Sequence, residues 1–170
     1  TNTWSTPGSL PAEYLVSDQA GFGTSDIYIA GGYDQDYTAM TTVVKISSDD
    51  GLTFTKVSDL KEGRGDVFGV ANKAGTKAYV AGGFTHTNWC KPLTSAEEYD
   101  FGTDTWTSLP DLVDARGEIA LVENAGILYA IGGEGPLNED TCGSKNYTIA
   151  TKTVAVDRIE ILNDGETAWN

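Results

Sequence analysis

Lys77-Ala-Tyr-Val-Ala-Gly-Gly83 is a short apolar run that stops at a glycine pair, and the chain writes it three times. The other copies are Asp26-Ile-Tyr-Ile-Ala-Gly-Gly32 and Ile127-Leu-Tyr-Ala-Ile-Gly-Gly133. The pairs begin at 31, 82 and 132, so the period is about 50 residues. An aromatic in a turn context follows each pair: Phe54, Trp106 and Trp169. Trp4 stands in the same phase ahead of the first pair. The third unit carries extra residues between its glycines and its Trp.

Each unit reads as four short strands. In the second they are expected at 66–71, 77–83, 95–100 and 106–109. The second strand is apolar throughout, as a buried strand requires. Asp100-Phe-Gly-Thr-Asp104 reads as a hairpin turn between the third and fourth. No stretch has 3.6-residue periodicity with caps, so almost no helix is expected. The glycine pair ends a strand where a Cβ would not fit or where φ is positive. The Trp or Phe supplies apolar surface between neighbouring units. A β-sandwich with chance glycine pairs is the competing reading, and the matched spacing opposes it.

Four strands at a period near 50 describe a propeller blade. On these residues the chain resembles the kelch-repeat β-propeller family. Tyr99 stands seven residues before Trp106, and Arg64-Gly65 and Arg116-Gly117 precede each new inner strand. The second unit is the fullest match: Ala96-Glu-Glu-Tyr-Asp100, Thr105-Trp106, Leu109-Pro110 and Ala115-Arg116-Gly117. The others depart from it. Phe54 replaces the Trp, and Lys45-Ile46 and Glu160-Ile161 stand where the family has Glu-x-Tyr. The expected fold is all-β: three four-stranded antiparallel kelch-type blades at 12–57, 66–109 and 117–170 in an incomplete ring. Residues 1–11 read as the outer strand and linker of a preceding blade.

Propellers close with about 4–8 blades. Three would leave two apolar faces bare. The expectation is a part of a longer six- or seven-bladed protein, or a homodimer closing a six-bladed ring. A subunit of a larger complex is a further reading.

Charge narrows the partners. Eleven Lys+Arg against 25 Asp+Glu give a net charge of −14. Such a surface disfavours nucleic acid and anionic membrane surfaces. No apolar run reaches the roughly 18 residues of a spanning helix, so no membrane insertion is expected. The missing initial Met suggests a processed or partial chain.

Cys90 and Cys142 fall in equivalent loops of adjacent units, between strands two and three. These loops project from one face, so a disulfide is sterically reasonable, and two free thiols are the alternative. Two cysteines and the lone His86 are too few for a zinc site. Asn146-Tyr147-Thr148 is a glycosylation acceptor sequence. Together these point to an extracytoplasmic location: secreted, cell-surface or an organelle lumen.

Two loops on that face are long, Thr85–Leu93 and Gly135–Thr151, and long loops on a rigid scaffold carry binding. Tyr33, His86, Asn88, Trp89 and Lys91 mix aromatic surface with polar groups. The resemblance adds Arg64 and Arg116, at the positions where kelch propellers place polar residues near the central channel. There they would grip a carboxylate bidentately, unless they are structural and bond the adjacent blade. The carboxylate pairs Asp34/Asp36, Asp49/Asp50 and Glu139/Asp140 have no calcium-loop spacing and read as turns. No nucleophile elbow or phosphate loop is present. Some kelch-like propellers are enzymes, but the copper oxidases among them need several His and Tyr ligands with a Cys–Tyr crosslink, and with one His and two cysteines read as a disulfide this chain lacks that set. The function expected is a non-catalytic binding or scaffold module for protein or glycan, without cofactor or metal. The alternatives are a fragment of a sugar-acting propeller enzyme and a structural subunit.

Overall fold

The computed structural model describes residues 8–14, 16–47, 53–85, 92–136 and 153–170, with the Thr153 side chain left aside. Blade 1 is a sheet of β1 (Ala20–Gly23), β2 (Ile27–Ala30), β3 (Val43–Ile46) and β4 (Phe54–Lys56), in that order. Blade 2 repeats it with β5 (Phe68–Ala71), β6 (Lys77–Ala81), β7 (Ala96–Asp100) and β8 (Thr105–Leu109). Neighbours are antiparallel throughout. Blade 3 has β9 (Ala120–Asn124) and β10 (Ile127–Ile131), then a hairpin of β11 (Glu134–Pro136) with β12 (Thr153–Ala155), then β13 (Ile159–Asn163). Its outer edge is Asn170, which exchanges both backbone bonds with Ile161. The hairpin lies between strands two and three of the blade, where the third unit is longer. Among the described residues the helical content is one 3-10 turn, Ala12–Tyr14.

The four strands expected in the second unit all form, with ends shifted by one or two residues. Gly82 and Gly83 leave the strand because both have positive φ, 63° and 97°. A Cβ on Gly82 would strike the Arg116 carbonyl of the next link. The pair ends a strand because the chain turns where another backbone is already in contact.

Blades pack face to face in series. Phe22 and Tyr28 of blade 1 meet Tyr99 and Trp106 of blade 2, with Phe101 beside them. Tyr28 and Phe101 centroids are 4.9 Å apart, and Phe22 meets Trp106 edge-on at 6.2 Å. Each such ring contributes roughly 1.5–3 kcal/mol by burial. Leu121, Leu128, Leu162 and Trp169 of blade 3 repeat the arrangement against Val70, Tyr79 and Leu109 of blade 2. The Trp indoles also tie each blade to the link before it. Trp106 Nε1 donates to the Ser58 carbonyl and Trp169 Nε1 to the Pro110 carbonyl, both at 2.9 Å. First strands of adjacent blades approach one another, β1 with β5 and β5 with β9, and so form the inner side of the arc.

Candidate functional site

A four-strand meander places the blade-to-blade links and the loops between strands two and three on one face. The bridges confirm it. Ser17 pairs with Tyr33, Gly65 with Phe84, and Gly117 with Glu134, each joining a link to the start of such a loop. These bridges also set the repeat register. Val16, Arg64 and Arg116 are equivalent, and so are Asp18, Asp66 and Glu118.

Arg64 and Arg116 are both fully buried. Arg64 Nη2 donates to Glu97 Oε1 and Ser95 Oγ at 2.8 Å, and Nη1 to the Gly82 and Ser95 carbonyls at 2.6 and 3.0 Å. Glu97 also accepts from the Lys61 and Glu62 amides. Arg116 repeats this with Glu160 on β13, at 2.5 Å, and with the Ala130 carbonyl. Glu160 accepts from the Val113 and Asp114 amides. Backbone bonds hold each arginine to the preceding blade: the Gly32 amide donates to the Arg64 carbonyl, and the Gly83 amide to that of Arg116. Each arginine therefore latches one blade to the next. The expectation that they grip a carboxylate on a ligand gives way to the structural alternative, because their charge is spent on internal glutamates.

Tyr33 is also scaffold. It is 3% exposed, its ring lies over Gly65, and its hydroxyl donates to Asp66 Oδ2 at 3.0 Å. Burial and the Asp66 carboxylate push its phenol well above the usual range. Phe84 covers Gly117 in the same way. His86, Asn88, Trp89, Cys90, Lys91, Cys142 and Asn146 lie outside the described residues, as do Asp49, Asp50, Glu139 and Asp140.

The residue two positions after each latch position faces the other way. Asp18, Asp66 and Glu118 all have positive φ, 55°, 48° and 53°. This is the left-handed region that few non-glycine residues enter. The kink turns their side chains out as the chain enters the inner strand. Together with Gln19, Val67 and Phe68 they line a cavity of about 270 Å³. Phe68 is 52% exposed there. The carboxylates act on one another. Glu118's carboxyl is held above its usual range by partial burial, then by Glu134, Asp66 and Asp18. The rim of the arc is thus anionic with an aromatic platform, which suits a cation. Among the described residues no group of His, Cys, Asp or Glu could hold a metal ion.

The sequence reading passed over this rim. Its trace was present in Arg64-Gly-Asp66 and Arg116-Gly-Glu118, with Ser17-Asp18 in the same register. Which of the two charges faces outward depends on the backbone dihedral, and that is not written in the motif.

The Kelch motif family model matches residues 73–113, most of blade 2 and its exit link. Two F-box/kelch-repeat proteins of Arabidopsis thaliana are similar to the chain. One is 34% identical over 109 residues, covering 64% of this chain and 25% of its own length. The other is 41% identical over 70 residues, covering 41% and 19%. Kelch-like protein 35 of Mus musculus is 32% identical over 133 residues, covering 78% and 21%. The chain thus spans a quarter or less of the length of these relatives. The glycine-paired strands, the latched blades, the motif match and these relatives agree, and the chain is a kelch-repeat protein of β-propeller blades.

Proposed function

We propose that the chain is a non-catalytic protein-binding module that takes a Lys- or Arg-rich segment of its partner on the inner rim of its loop face. Kelch repeats generally mediate protein–protein interaction, which supports protein over glycan. The observation that carries the charge preference is the outward turn of Asp18, Asp66 and Glu118 at one position of three blades. It reverses the partner expected from Arg64 and Arg116.

The test is titration of the intact protein with an oligolysine peptide at low and physiological salt. Asp66→Asn combined with Glu118→Gln is expected to weaken binding by about tenfold, roughly 1.4 kcal/mol. Asp164→Asn makes a single-charge change at a strand-turn on the opposite face and is expected to have little effect. Equal weakening by Asp164→Asn and by Glu118→Gln alone would sink the proposal. Glu118→Gln should also leave the fold slightly more stable at pH 7. A carboxyl raised above its unfolded value costs stability when ionised, and that cost disappears as pH falls through its folded value.

The same proposal includes a Cys90–Cys142 bridge and an extracytoplasmic location. It is supported by two cysteines in equivalent loops of adjacent blades and by the Asn146 acceptor sequence. Mass spectrometry of the native protein, alkylated without reductant, should find both thiols unmodified. Alkylation of both would remove the bridge and the argument for compartment.

A further inference from the structure

Blade 1 breaks the latch, and it changes both partners together. The registers place Val16 where blades 2 and 3 have Arg64 and Arg116, and Val44 where they have Glu97 and Glu160. The amides that Glu97 and Glu160 would cap are here in Glu13 and Tyr14. That stretch forms the 3-10 turn instead, and the Tyr14 amide donates to the Pro11 carbonyl at 2.9 Å. The link has thus been refolded around the loss.

Two valines are much smaller than an arginine and a glutamate, and a cavity of about 250 Å³ lies there. Val16, Ile29, Met40 and Val44 form its apolar wall. Gly31 and Thr42 also line it. They are the counterparts of Gly82 and Ser95, whose carbonyls accept from Arg64. No backbone amide donates to the Gly31 carbonyl among the described residues. Glu13, Asp34 and Asp36 also line the cavity and make it anionic.

We infer that this cavity is a binding site for a guanidinium-bearing side chain, an arginine supplied from a partner protein. The alkyl stem would lie on the valines and Met40. The guanidinium would donate to the Gly31 carbonyl, as Arg64 does to Gly82, with the three carboxylates supplying the countercharge that Glu97 supplies in blade 2. An apolar wall with an acidic lining fits an amphipathic cation better than a purely apolar or an anionic group. The site is separate from the inner rim and does not depend on it.

N-butylguanidinium is the probe, titrated into intact protein carrying methyl-labelled valine, with N-butylurea as its uncharged counterpart. Binding should shift the Val16 and Val44 methyl resonances, and N-butylurea should bind at least tenfold more weakly. Val16→Arg combined with Val44→Glu rebuilds the internal pair and should abolish binding. Should that variant fail to fold, Asp36→Asn, an exposed change, should still weaken binding severalfold. Glu118→Gln should leave it unchanged, which separates this site from the rim. Absence of valine shifts, equal binding of the urea, or undiminished binding after Asp36→Asn would each overturn the inference.

Discussion

Removing the Arg64 guanidinium would leave the Glu97 carboxylate inside the protein with two backbone amides and no cation. Breaking one side of a buried ion pair costs about 3–5 kcal/mol. Arg64→Ala and Glu97→Ala should each lose that order of stability in urea unfolding, and the double variant should lose less than their sum. Additive losses would mean the pair does not act as a unit. Surface pairs such as Lys56–Asp59, 3.0 Å apart and half-exposed, are worth well under about 1 kcal/mol by the same physics. Burial decides between the two cases. Blade 1 shows the apolar alternative in place: two valines remove the need for a buried charge, and a 3-10 turn satisfies a link amide that the glutamate would otherwise cap.

Each blade is an element whose outer strand depends on the link before it. Trp106 sits among Phe22, Tyr99 and Phe101, and its indole also bonds the Ser58 carbonyl. Trp106→Phe keeps most of the ring contact and deletes that bond. It should cost about 1–2 kcal/mol, from the lost bond and the space left. A loss close to zero, read by thermal unfolding, would show that the indole bond is replaced by solvent. Asp104 works in the same corner. Burial pushes its carboxyl up, but bonds from the Tyr99 hydroxyl and from Ser58 outweigh that and hold it below its usual range. The aromatic periodicity was legible in the sequence as a row of phased Trp and Phe residues. The corner that each Trp closes was not, because Ser58 and Pro110 contribute backbone carbonyls, which carry no residue signature.

Over the whole molecule, a net charge of −14 is unevenly used. Two of the 11 cations, Arg64 and Arg116, are withdrawn into the blade junctions with one glutamate each, so those pairs leave the surface field unchanged. The carboxylates that face outward set that field, and the inner rim concentrates it where three links converge. A cation approaching the loop face therefore meets the acidic groups, and salt screens that attraction over about 8–10 Å. The arc also leaves apolar residues at the surface of blade 3, Val122, Ile131 and Ile159. Leu121, Leu128 and Leu162 alternate with them and face blade 2, so the strand period that builds one core also presents the other face.

The strand period, the turn glycines and the recurrence near 50 residues are local properties, so the sequence alone determined the blades, their strand order and the kelch likeness. Those signals survive without knowledge of any distant contact. The fate of each charge was decided only by tertiary structure. Arg64 and Asp66 are two residues apart, yet one is sealed against Glu97 and the other lines the rim. What separates them is a link clamped between two blades and a left-handed kink at Asp66, and both exist only once the neighbouring blade is in place. The cavity at Val16 and Val44 has the same origin, since those positions are 28 residues apart in the chain and become partners only through the fold.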